Sequence, residues 1–225
     1  MTRENDVVVA VDGSAASDNA VRWAANTAVK RNVPLRLASS YTMPQFLYAE
    51  GMVPPQELYD DLQRETLRKI EDAREIALNV GPDLKIGHAV AEGSPIDMLL
   101  EMSREFGMIV MGSRGLGGLS GMVLGSVSGA VVSHASCPVV VVREDNHVNE
   151  DNKYGPVVVG VDGSEVSRRA TEVAFEEAQA RRSELIAVHT WIDSQLQAPV
   201  AGFSISDEHW RAAQQEKSEL LENYL

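Results

Sequence analysis

"VVVAVDGSAAS", Val7 to Ser17, returns 150 positions later as "VVVGVDGSEVS", Val157 to Ser167, without a gap. Seven of the first eight residues are identical. The register persists through Ala20 and Ala170, Ala28 and Ala178, Arg31 and Arg181, and Leu35 and Leu185. A repeat of this period marks a duplicated domain, because solenoid repeats run about 20 to 50 residues. In both copies a short apolar run leads through Asp-Gly-Ser into a helical pattern. A wholly apolar run of this length is what a parallel strand covered on both faces requires.

Outward from Val7–Val11, the first copy alternates strands and helices. Ser14 or Ser17 caps a helix with Val21, Ala24, Ala25 and Ala28 on one face, while Lys30 and Arg31 suit its C-terminal dipole. Leu35–Ser40 reads as a second strand. After a Pro- and Gly-containing stretch from Met43 to Pro55, Leu58, Leu62, Ile70, Ala73, Ala77 and Val80 outline a long amphipathic helix closed by Gly81 and Pro82. Leu84–Ala91 is a third strand. Ser94 then caps, and Pro95 opens, a helix carrying Ile96, Leu99, Leu100 and Met102. Met108–Met111, Ser126–His134 and Val139–Val142 supply a fourth strand, a further helix and a fifth strand. The predicted fold class is α/β: an open five-stranded parallel sheet, Rossmann-like, with helices on both faces.

Residues 1–145 are thus expected to form a complete domain, and the hydrophilic run from Arg143 to Pro156 places a linker at 146–155. Residues 156–225 read as the first half of a second copy, with a strand at Val157–Val161, a helix at Ser167–Arg181 and a strand at Leu185–Thr190. That copy breaks off inside the counterpart of the long amphipathic helix.

The hydrophobic fraction of 44% and charged fraction of 24% are those of an ordinary globular protein. The net charge of −13 is shared: residues 1–145 hold 13 basic and 19 acidic side chains, and residues 146–225 hold 7 and 14. Such a surface repels nucleic-acid backbone and anionic lipid, so neither nucleic acid nor membrane is an expected partner. Cys137 stands alone, which leaves no internal disulfide or thiol zinc cluster, and it reads as a small buried residue beside a strand. "MTREND" has no apolar leader, and no apolar run approaches the roughly 20 residues that span a bilayer. Cytoplasm is the expected compartment.

The chemistry concentrates in "MGSRGLGGLSGMVLGSVSGAVV", Met111 to Val132, which has seven glycines and no lysine. It joins the fourth strand to the helix at Ser126, and in sheets of this class ligands sit outside the carboxyl ends of the strands. Gly112, Gly115 and Gly125 are expected to take positive φ values and bring backbone close to a ligand. The helix N-terminus offers unpaired amides and partial positive charge to a phosphate, and Ser126 and Ser128 add hydroxyl donors. The lysine-bearing pattern GxxxxGK[ST] is absent. Amides, hydroxyls and a metal ion would take over its neutralising role.

Gly112, Gly115, nine residues, then Gly125 and Ser126 match G-x2-G-x9-G-[ST], and here the chain resembles the ATP-binding universal stress proteins, in a tandem form with a truncated second domain. With glycine near 7% of residues, that spacing arises by chance in roughly one chain in a hundred. The resemblance spans residues 5–143 and the first half of a second domain from 156. It implies an adenine pocket lined by Ala10, Val11, Asp12 and Ser40. It further implies that Met111, Gly112, Ser113, Arg114 and Gly115 lie over ribose and phosphate, that Leu116, Gly117 and Gly118 bind the nucleotide as well, and that Gly125, Ser126, Val127 and Ser128 surround the phosphates. In the second copy only Gly160, Asp162 and Thr190 have counterparts. The ligand implied is ATP with Mg²⁺, no protein metal site is expected, and the function implied is nucleotide-dependent regulation of a stress response or dormancy with slow or no hydrolysis.

Other readings stand beside these. Asp12 could cap its helix instead of meeting a ligand. His88, His134, His147, His189 and His209 show no metal-ligand spacing, and Glu57, Asp60, Asp61 and Glu65 read as a solvated helix face. Met111 fits the strand core and could also cover a base. The fifth strand, Val139–Val142, is an apolar edge that needs a partner, which favours a homodimer and, as an alternative function, a scaffold with a vestigial nucleotide site. No nucleophile with an adjacent base can be assembled from the motifs, so an enzyme is not expected.

Overall fold

A computed structural model describes residues 6–44, 54–115, 124–143 and 155–190, together with Gln215. The chain divides into two compact units, Met1–Asn146 and His147–Leu225. Residues 45–53 of the Pro- and Gly-containing stretch, 146–154 of the expected linker and the segment after 190, Gln215 apart, lie outside the described residues.

The first unit opens with β1 (Val7–Ala10), in which Val7, Val8 and Val9 are fully buried. Side chains alternate across a strand. Val7 and Val9 accordingly join one core cluster and Val8 the other. β1 stops at Ala10, one residue short of the apolar run. Val11 still donates its amide to the Ala38 carbonyl at 2.8 Å, but the Val11 carbonyl is taken by the Ser39 hydroxyl at 2.7 Å. A side chain ends the ladder and frees the chain to turn at Asp12.

Helix α1 (Ala15–Arg31) is capped by Ser14, whose hydroxyl accepts from the Ser17 amide at 3.2 Å. The alternative cap, Ser17, instead aims its hydroxyl at the Ala10 carbonyl, 3.4 Å away. Small residues at 16, 20, 24, 25 and 28 are buried, which brings the helix axis close to the sheet. Asn32 ends it in the left-handed region at φ 52. β2 (Leu35–Tyr41), α2 (Gln56–Val80) and β3 (Ile86–Glu92) follow. Ile70, Ala73 and Ala77 of α2 pack into the same cluster as α1 and Val7, Val9 and Leu37.

The opposite face is covered by α3 (Pro95–Met102) and α4 (Ser126–His134), whose Leu99 and Val131 bury with Val8, Ala38, Phe106, Ile109 and Met111. Ser94 caps α3 as expected, accepting from the Asp97 amide. With β4 (Met108–Gly112) and β5 (Val139–Val142) the sheet is complete among the described residues. Its order is β3-β2-β1-β4-β5, every pair parallel, with helices on both faces. The predicted fold class holds, with boundaries moved by one or two residues.

The second unit contains β6 (Val157–Gly160), α5 (Glu165–Arg181) and β7 (Leu185–Val188), with β6 and β7 paired parallel. It repeats the capping of the first: the Ser164 hydroxyl accepts from the Ser167 amide at 3.1 Å, and Arg182 takes the left-handed position at φ 53. Asp162 holds the Ser164 amide at 2.9 Å, and bonds from Ser164 and Ser167 bring its carboxyl down to about 2.

Candidate functional site

The strand order reverses between β1 and β4, so chains leaving their carboxyl ends diverge and open a crevice between them. Asp12 and Gly13 follow β1, and the glycine-rich stretch follows β4. In the first loop the Asp12 carboxylate accepts the Ser14 amide at 2.9 Å, and Gly13 takes φ 83, a value that favours glycine. Asp12 therefore braces the turn that leads into α1, whose cap is Ser14, while still lining the crevice.

The second loop differs from expectation in how its glycines are used. Among the described residues, positive φ occurs in glycine only at Gly13, Gly93 and Gly163, not at Gly112, Gly115 or Gly125. The requirement at 112 and 115 is close approach. A Cβ on Gly112 would stand 2.9 Å from the carbonyl carbon of Ala16, and one on Gly115 would overlap Oδ2 of Asp12. At Gly125 a Cβ would meet Ser113 O and Ser128 Oγ at 3.5 Å, ordinary contact.

The neck of this loop is fastened by the protein itself. The Ser113 carbonyl accepts the Gly125 amide at 2.7 Å and the buried Ser128 hydroxyl at 3.0 Å, and the Ser113 amide donates to Val142 O at 2.9 Å. Ser113 is buried and does not line the crevice, and the Ser128 hydroxyl, expected as a ligand donor, is spent on the frame. The amides of Ser126, Val127 and Ser128, in the first turn of α4, have no carbonyl of their own helix to bond. Gly125 caps that helix without a side-chain bond, so among the described residues the turn is open to an anion.

Together these elements border a cleft of about 530 Å³, within the range of small-ligand pockets. Ala10, Val11, Asp12, Ser40, Met111, Gly112, Arg114, Gly115, Gly125, Ser126, Val127 and Ser128 all line it. Leu116, Gly117 and Gly118 lie outside the described residues. Sequence reasoning missed Ser17, Ala38, Ser39, Thr42, Lys69, Pro95, Met98 and Leu99. The apolar face of α3 and the end of β2 were signals for most of these, since both abut the carboxyl edge of the sheet. Lys69 had no local signal. Its ammonium bonds Glu65 Oε1 at 2.9 Å, and that bond holds the exposed Glu65 carboxyl below the usual range.

The Universal stress protein family profile matches residues 5–143 and again 153–224. The chain belongs to the universal stress protein family. Universal stress protein Rv2005c of Mycobacterium tuberculosis (strain ATCC 25618 / H37Rv) is 40% identical over 199 residues, covering 86% of this chain and 66% of the relative. The chain thus spans about two thirds of that relative's length. Among solved structures, universal stress protein UspA from Lactobacillus plantarum matches with TM-score 0.53 and 22% identity, over 64% of this chain and all of that one. A universal stress protein solved in complex with cAMP is 26% identical with TM-score 0.49, over 62% of this chain and 97% of that one.

In this universal stress protein, the second-unit counterparts Gly160, Asp162 and Thr190 are exposed. His189 stands where the first unit has Ser39, and its ring bonds the Val161 carbonyl as Ser39 bonds that of Val11. Cys137 is half-buried between α4 and β5, rather than fully buried, and burial pushes its thiol up. Among the described residues no three His, Cys, Asp or Glu side chains gather to hold a metal ion. None of the described helices is long and apolar enough to cross a membrane.

Proposed function

We propose that this universal stress protein binds ATP, accompanied by Mg²⁺, in the cleft of its first unit and acts as a nucleotide-dependent regulator of a stress response or dormancy. The observation that carries the reading is the open first turn of α4, at Ser126–Ser128, bordering the same cleft as an apolar wall of Ala38, Met98, Leu99 and Met111. Unpaired amides with the positive end of a helix dipole suit phosphate, and the wall suits a base. Mg²⁺ enters with the nucleotide, keeping phosphate oxygens and water as ligands, with Asp12 the carboxylate at hand.

Turnover is slow or absent in this reading. Asp12 is the sole carboxylate among the described lining residues, and its Oδ1 is engaged by the Ser14 amide. No described histidine or glutamate lines the cleft to orient a water. Isothermal titration of the full chain with ATP and Mg²⁺ is expected to give saturable heat, with phosphate release far slower than nucleotide exchange. An absence of heat with ATP, ADP and AMP would overturn the reading.

The edge position of β5 favours a second role. Val139, Val140 and Val141 are half-buried in a strand that, among the described residues, is paired on one side only, and such an edge invites another strand. We infer a homodimer through Val139–Val142, which would also serve a scaffold with a vestigial nucleotide site. Multi-angle light scattering at micromolar concentration should return twice the chain mass of 24.5 kDa. A monomer counts against it.

A further inference from the structure

We propose that Lys69 supplies the lysine ammonium that the glycine-rich stretch lacks, beside the Arg114 guanidinium that lines the same cleft, meeting the outer phosphates of a nucleoside triphosphate and making the cleft select by phosphate number. The inference rests on the nucleotide reading above. Lys69 lies on α2, far in sequence from either ligand loop, yet it lines their cleft. Its stem runs over the Asp12–Ser14 turn: a Cβ added to Gly13 would stand 3.3, 3.5 and 3.7 Å from its Cγ, Cδ and Cε. Gly13 at φ 83 presents no side chain there, which leaves the lysine its path.

The backbone under Lys69 is fixed, because its neighbour Ile70 and Ala73 and Ala77, one and two turns on, are buried in the core. The ammonium is held but not committed. Its partner Glu65 is 62% exposed and its own side chain 30% exposed. Such a surface pair contributes little in water, whereas a charge-assisted bond to a polyphosphate in a cleft is stronger. Exchange of Glu65 for a phosphate oxygen is therefore favourable. It also offsets the repulsion that the Asp12 carboxylate exerts on the same phosphates. On this inference a nucleoside monophosphate, with its base on the apolar wall and its phosphate at the first turn of α4, is held without Lys69.

The test compares wild type, Lys69→Met, Lys69→Arg and Glu65→Gln in the full chain, titrated with ATP and AMP by calorimetry. Methionine keeps an apolar stem over Gly13 and is a good helix former, so only the charge is removed. Lys69→Met is expected to weaken ATP about tenfold or more and AMP less than about twofold, as befits one charged hydrogen bond. Lys69→Arg keeps the preference for ATP, and Glu65→Gln strengthens ATP a few-fold by freeing the ammonium. Equal weakening of ATP and AMP in Lys69→Met, or unchanged ATP affinity, overturns the role of Lys69 and leaves the nucleotide reading standing. If wild type binds neither nucleotide, the nucleotide reading itself falls, and this inference with it.

Discussion

Gly115→Val is expected to abolish measurable ATP binding while the protein stays folded. Gly115 is exposed, so a side chain there meets no core. What it meets is Oδ2 of Asp12, whose other oxygen is tied to the Ser14 amide at 2.9 Å. The carboxylate must rotate away from that amide or the loop must lift, and either movement parts the two walls of the cleft. A loss of at least about a hundredfold in affinity, about 2.8 kcal/mol, follows from displacing several ligand contacts at once. Calorimetry with ATP measures it, and Gly129→Ala is the control, since nothing lies within 4 Å of its methyl and the residue does not line the cleft. Near-normal binding by Gly115→Val would show that the Asp12–Gly115 contact does not shape the site.

Gly112→Val is expected to act on the fold. The Cβ of valine would lie 2.9 Å from the Ala16 carbonyl carbon and 3.0 Å from its oxygen, and backbone in the first turn of a helix cannot swing aside as a side chain does. β4 or α1 must move. Overpacking of this kind costs about 1–3 kcal/mol, more when backbone is displaced. For a unit of this size that lowers Tm by roughly 3–10 °C, a fall that differential scanning calorimetry resolves. An unchanged Tm would mean that β4 and α1 slide past one another freely.

The strand–helix alternation and the repeat were legible because their signals are local: three consecutive buried valines, a serine cap, an alanine face. The cleft was legible where it is built from strand ends and spaced glycines, and twelve of the residues expected there do line it. Hydroxyl allegiance was not legible. Ser128 and Ser113 sit in the motif, yet which atoms they bond depends on how residues 113 and 125 approach one another in space. Lys69 was invisible for a related reason. In "LQRETLRKI", Leu62 to Ile70, it is one charge among several, and only the burial of Ile70, Ala73 and Ala77 turns it toward Gly13.

The fastening of Ser113 to Gly125 also separates two jobs along the chain. Since the hoop between those residues is tied at its base, lengthening it charges the frame only chain entropy, about 0.6 kcal/mol for each doubling. Insertions or exchanges at residues 116–123 are therefore expected to leave the buried valines of the open sheet behind that base undisturbed.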